Sequence, residues 1–198
     1  MNIMFGCAVL RAIERTDAEL LAHMMNHPDI DGMTVGSHYA VSMAHQEEWI
    51  RAFCNNDREM RWMIQLSNKT VLGMISLTGI DWVNRNASVG IKTGPLAGER
   101  IRGDVQDAMY ALGRYAFDEL NLCRLETATL SHNLFSLKLS RGLGYQDEGV
   151  LRKKVFRRGK WRDVVIGSLL RDEFIRYEDG SAPWQKKRTL CGVKEARR

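Results

Sequence analysis

Gly94-Pro95-Leu96-Ala97-Gly98-Glu99-Arg100-Ile101-Arg102-Gly103 is the stretch on which the fold of this chain turns. It follows a strand-like run ending near Thr93. It precedes residues 104–120, which have helical length and period, with Leu112, Tyr115, Ala116 and Leu120 on one side. A loop entering a helix presents backbone N–H groups without intrahelical partners and the positive end of the helix dipole. Both favour a phosphate or pyrophosphate. Gly103 lets the backbone approach a ligand, and Arg100 and Arg102 add charge and bidentate donors. Alone, such a loop also reads as a plain capped turn, so the order of the flanking elements decides.

Working outward, residues 61–66 and 71–77 are strand-like and joined by Ser67-Asn68-Lys69-Thr70, which has turn chemistry. A turn at residues 81–86 leads into a third strand at 87–92. Upstream, the apolar N-terminus reads as a first strand. Thr16 or Asp17 caps a helix with Leu20, Leu21 and Met24 as its stripe, and His27-Pro28-Asp29 stops it. Ser42 caps a second helix carrying Trp49, Ile50 and Phe53. Downstream, residues 124–130 form a strand and 133–143 a short helix ended by Gly144. Two further strands pair around Arg158-Gly159-Lys160. The class is α/β: a mixed, mostly antiparallel sheet flanked by helices, closing with a β-hairpin.

The 198 residues suit one domain, placed at residues 1–176, followed by a basic tail at 177–198 expected to be mobile. The last fifteen residues hold six basic side chains and one acidic, which accounts for the whole net charge of +5. The basic character therefore belongs to the tail rather than to a nucleic-acid surface. No apolar run approaches the about 18 residues of a membrane span. Phe5-Gly6-Cys7 is weakly similar to a lipoprotein cleavage site, but there is no basic segment before it and Arg11 interrupts the run. Four scattered cysteines (Cys7, Cys54, Cys123, Cys191) give no metal-binding spacing and suit a reducing cytoplasm.

Several segments now stand in one order: Leu10-Arg11-Ala12-Ile13, Val71-Leu72-Gly73-Met74-Ile75-Ser76-Leu77, Arg100-x-x-Gly103, Tyr115-Ala116-Phe117-Asp118-Glu119-Leu120-Asn121-Leu122, Asn133-x-x-Ser136 and Gly144-Tyr145. In that order they resemble the GNAT N-acetyltransferases, in the branch that acetylates ribosomal-protein N-termini, polyamines and amino sugars. The resemblance implies acetyl-CoA as acyl donor and an amine as acceptor, with a homodimer allowed and no membrane or metal. It implies that Arg100, Ile101, Arg102, Gly103, Asp104, Val105 and Gln106 hold the cofactor's diphosphate. Val105 departs from the pattern, standing where Gly or Ala is usual, although the backbone donors survive that change. By the same resemblance Asn133 bonds the pantetheine arm and Ser136 sits near the thioester sulfur. Asn133 is equally a plain helix N-cap.

An alkylammonium titrates near ~10, so attack on a thioester requires loss of a proton, and the departing thiolate needs a donor. Ser136 is the candidate donor. Ser140 occupies the place where many relatives carry a tyrosine, Val155 the place of a glutamate base, and Ser88 another glutamate position. Candidates for the base are Asp81, Glu126 and His132, acting through water. Each has an alternative reading: a turn residue, a strand ion pair, and a surface residue beside Asn133.

Residues 152–162 hold seven basic side chains and no acid: either a solvated hairpin face or a rim attracting an anionic acceptor such as a nucleotide-linked amino sugar. Asn26-His27-Pro28-Asp29-Ile30 and Gln46-Glu47-Glu48-Trp49-Ile50 are loosely similar to amino-sugar acetylating members, and residues 27–55 are expected to wall the acceptor. The alternatives are a non-catalytic acyl-CoA sensor, and a nucleic-acid-binding module using the basic hairpin and tail.

Overall fold

The computed structural model describes residues 2–36, 39–53, 56–94 and 101–185, with the side chains of residues 101 and 102 also left aside. Arg100 and most of the preceding loop therefore lie outside the described residues, as do residues 186–198 of the tail. In chain order the elements are β1 (Ile3–Phe5), β2 (Ala8–Arg11), α1 (Ala18–Asn26), α2 (Pro28–Met33), α3 (Met43–Ala52), β3 (Glu59–Leu66), β4 (Val71–Asp81) and β5 (Asn86–Thr93). Then come α4 (Ile101–Arg114), β6 (Arg124–Leu130), α5 (Leu134–Arg141), β7 (Gln146–Arg157) and β8 (Lys160–Leu170). They build an eight-stranded sheet in the order β1-β2-β3-β4-β5-β6-β8-β7. All neighbours run antiparallel except β5 and β6.

Most of the expected elements are present, and the differences have local causes. The N-terminal run is a hairpin rather than one strand because Gly6, at φ +58°, reverses the chain. A Cβ there would meet an Asp107 oxygen at 2.0 Å, so the turn is wedged against α4. Pro28 ends α1 but sits at the first position of α2, where its missing N–H costs nothing. Ser42 caps α3 by accepting from the His45 amide at 3.1 Å. The last turn of the central helix widens into a π turn over Tyr115–Glu119, with the Leu120 amide donating to the Tyr115 carbonyl. Asn121 follows at φ +55°. Arg158 and Gly159, both at positive φ, make the tight turn of the β7–β8 hairpin.

The main core lies between one sheet face and α4. Val105, Ala108, Met109 and Leu112 recur at helical spacing and are all buried, alongside Ile64, Ile75 and Leu77 of the sheet. Each such aliphatic side chain contributes about 1.5–3 kcal/mol on burial. A second cluster on the opposite face joins Leu21 of α1 to Met63 and Met74, with Trp49 and Ile50 of α3 against it.

Packing does not end at residue 176, where sequence reading drew the tail. Ala182, Trp184 and Gln185 are buried, and Tyr177 packs on the main core. The reason is a wholly buried carboxylate on α4. Asp107 accepts from the Trp184 indole at 2.8 Å, the Gln185 amide at 3.2 Å and the Cys7 backbone at 3.1 Å. Among the described residues, no helix is long and apolar enough to cross a membrane.

Candidate active site

β5 and β6 are paired only at Asn86↔Arg124, Ala87↔Leu125 and Ser88↔Glu126. Beyond that rung each strand follows its other neighbour. β5 stays with β4 up to Gly73↔Thr93, and β6 stays with β8 up to Leu130↔Val164. Two parallel strands that part in this way turn backbone N–H and C=O groups toward the gap instead of toward each other. Gly90 belongs to this arrangement: a Cβ there would come within 2.7 Å of the Ser76 hydroxyl on β4.

A cavity of about 980 Å³ opens at the split. Its floor is Val89 to Gly94 on one side and Thr127, Ala128 and Thr129 on the other. Val105 and Met109 of α4 reach it, so the start of that helix stands at the cavity's edge. Asn133, Phe135, Ser136, Leu139 and Ser140 close it from α5. Residues of α1, of the 29–36 segment, and Tyr39, Val41, His45, Gln46 and Trp49 form the facing wall. A gap between strands, next to a helix N-terminus, suits an extended ligand with an amide-bearing arm and a diphosphate at one end.

The sequence model of the acetyltransferase (GNAT) domain matches residues 8–146. The chain belongs to the GNAT acetyltransferases. It is 24% identical over 166 residues to spermidine N(1)-acetyltransferase of Vibrio cholerae, covering 84% of this chain and 94% of that one. It is 29% identical over 168 residues to the uncharacterized N-acetyltransferase p20 of Bacillus licheniformis, covering 83% and 93%. A crystal structure of the Vibrio cholerae spermidine N-acetyltransferase with CoA and spermine superposes with a TM-score of 0.77 at 23% identity, over 85% of this chain and 98% of the other. The mixed α/β GNAT fold is thus shared, and the protein is an acetyl-CoA-dependent acyltransferase acting on amines.

In this acetyltransferase, Ile101, Arg102, Gly103, Asp104, Val105 and Gln106 form the first turns of α4. Val105 is 1% exposed and faces both the core and the cavity. Asn133 caps α5, its Oδ1 accepting from the Ser136 amide at 3.1 Å, and its Nδ2 donates to the Met33 carbonyl at 3.0 Å. Ser136 lines the cavity. Ser140 lines it too, but its hydroxyl donates back to the carbonyls of Ser136 and Leu137 at 3.1 and 3.2 Å. Val155 is buried with Leu130 and Val164.

The three expected base candidates do not line the cavity. Asp81 accepts from the Val83 and Asn84 amides at 2.9 Å and from the Asn84 side chain, and these bonds, Asn84 foremost, hold its carboxyl below the usual range. Glu126 pairs with Arg124 at 2.8 Å, beside the Arg124–Glu148 bridge. His132 sets Nε2 3.1 Å from the Gly32 carbonyl, which ties α5 to the 29–36 segment. The basic hairpin is engaged in a similar way. Arg157 donates to the carbonyls of Val35 and Gly36, and Arg158 to that of Pro28.

The ionisable groups that do line the cavity, among the described residues, are Asp29, Tyr39, His45, Arg61 and Lys92. Arg61 is bridged to Glu59 and lies over the Trp49 and Phe53 rings at 5.6 and 5.9 Å. Lys92 has its Nζ 3.2 Å from the Met25 sulfur. Burial, then the neighbouring Arg61, pushes its ammonium below the ordinary lysine value. Asp29 falls in the Asn26–Ile30 segment noted in the sequence, whereas no motif marks Tyr39, His45, Arg61 or Lys92. Lys92 comes to the Met63 and Met74 face of the sheet because Met63↔Met74 and Met74↔Lys92 are successive cross-strand partners, and Arg61, two residues before Met63, shares that face.

Proposed function

We propose that this acetyltransferase passes the acetyl group from acetyl-CoA directly to the primary amine of a small molecule or a protein N-terminus within a ternary complex, with an amino sugar preferred. The observation that carries the reading is the parting of β5 and β6 beyond Ser88 and Glu126, with the cavity between them. The backbone at residues 101–106, with Arg100, would hold the diphosphate at the positive end of α4. The free edge of β5 would bond the pantetheine arm and polarise the thioester carbonyl. Asn133, at the mouth of α5, would add a side-chain bond to that arm, and the Ser136 hydroxyl would donate to the departing thiolate.

Direct transfer is supported by the cavity's chemistry. Neither Cys7 nor Cys123 lines it, so no thiol among the described residues stands ready for a covalent step. The expected base candidates would act only through water. His45 is the imidazole on the wall itself.

The test is thiol release from acetyl-CoA against panels of amino sugars, peptides, polyamines and aminoglycosides, with turnover expected to be highest for an amino sugar. Calorimetry that gave no heat with CoA or any of its thioesters, on folded protein, would overturn the assignment.

A further inference from the structure

Lys92 is a partly buried cation on the acceptor side of the cavity, and among the described residues no acid is ion-paired with it. Its described polar neighbour is the thioether of Met25, a weak acceptor at 3.2 Å. Around it stand Met74, its cross-strand partner, and the apolar cluster of Leu21 and Met63. The other cation on this wall, Arg61, is bridged to Glu59. Two acids are near. Asp31 lies close enough to favour the charged lysine, and Asp29 lines the cavity, yet neither forms an ion pair with it.

A charge withdrawn from water without a partner is unfavourable unless a ligand supplies the opposite sign. Burial disfavouring the ammonium form is the same fact seen from the protein's side. Two of the hairpin arginines, Arg157 and Arg158, are already engaged with the carbonyls of Pro28, Val35 and Gly36. A linear polycation would bring like charge to Lys92, while Arg61 is already bridged to Glu59.

We infer that the acceptor carries an acidic group, a carboxylate or a phosphate, besides its amine, and that Lys92 is the residue that selects for it. This rests on the acetyl-transfer reading above and names the acceptor class of the same cavity. Lys92 then acts as a binding residue, holding the acid on the β4–β5 floor while the amine points to the strand gap.

The experiment measures thiol release with acetyl-CoA for glucosamine, glucosamine 6-phosphate, muramic acid and spermidine, on wild type, Lys92→Met and Lys92→Arg. Wild type should turn over the phosphate or the carboxylate member with kcat/KM at least about tenfold above glucosamine, mostly through KM, and the two acidic arms identify which anion is taken. Lys92→Met should bring that ratio close to one, and Lys92→Arg should retain most of it. Stabilisation of each variant by acetyl-CoA reports that it is folded. Equal use of neutral and acidic sugars by wild type, or a preference that survives in Lys92→Met, would overturn the inference. If no amine releases thiol although acetyl-CoA binds, the transfer reading fails separately. The subsite is then judged by melting of the CoA-saturated protein: glucosamine 6-phosphate or muramic acid should raise the Tm of wild type and not of Lys92→Met, and equal shifts would reject it.

Discussion

Ser88 and Glu126 face each other at the last rung of the parallel ladder between β5 and β6, and past them the two strands separate. Two residues back, at the Asn86↔Arg124 rung, the Arg124 guanidinium holds Glu126 at 2.8 Å, Ser168 at 2.9 Å and Glu148. The closed end of the split is thus fastened by a charge network that ties β6 to β7 and β8.

That network sets an acid limb of stability. Its bonds to Arg124, then to Ser168, hold the Glu148 carboxyl at about 2, against an ordinary 4.5. A carboxyl depressed on folding contributes stability that is fully present above its unfolded value and is lost as pH falls through the folded one. Denaturant melts of wild type should therefore weaken between about pH 4.5 and 2. Glu148→Gln should be less stable than wild type at pH 7, with the gap narrowing across that window. A constant gap at every pH would contradict the network's role.

The two serines of α5 should separate in kinetics. Both serines line the cavity, but the Ser140 hydroxyl is tied to two backbone carbonyls. Ser136→Ala is expected to lower kcat on the order of 10²-fold with little change in the KM for acetyl-CoA. Ser140→Ala should stay within about threefold of wild type, since its replacement removes only a back-bond to its own helix. Steady-state rates with one accepted amine decide this.

Asn133 carries two structural duties that substitution can divide. Its Oδ1 caps α5 and its Nδ2 holds Met33. Asn133→Ala should cost about 1 kcal/mol or somewhat more through the lost cap. Asn133→Asp keeps the cap acceptor and should restore most of that stability. It still frees the Met33 carbonyl, so hydrogen exchange of residues 30–35 should rise in both variants.

Removing the segment after residue 176 should be severe. Trp184 is 8% exposed, and its indole satisfies the wholly buried Asp107. A chain truncated there loses a large buried aromatic and leaves a carboxylate short of donors, a loss of about 3–5 kcal/mol or more. Asp107→Ala should reproduce much of it, as it strands the Trp184, Gln185 and Cys7 donors. Chemical denaturation of both variants provides the check.

Val105 offers a contrast between core and cofactor. Its side chain is buried, so Val105→Ala should cost about 1–3 kcal/mol. Acetyl-CoA affinity by calorimetry should stay within about threefold, because on the proposed reading the ligand is held by main-chain donors that alanine retains.

The sequence by itself determined the order and kind of most elements. Strand-like runs marked β3 to β6, the spacing of Leu112 and Ala116 marked α4, and Ser42 and Asn133 marked helix starts. These signals are local, carried by side-chain periodicity and cap chemistry within a few residues. The family pattern was legible for the same reason, since its segments stand in one linear order. What only the tertiary structure decided involves residues far apart in the chain. The pairing of β6 with β8 rather than with the far half of β5 opens the cavity. Asp107 draws in Trp184 from 77 positions away. The candidate bases are bound elsewhere, and Lys92 reaches the cavity because β4 holds it in register with Met74. Such facts depend on which strand edges and buried charges find each other, and no short-range pattern records that choice.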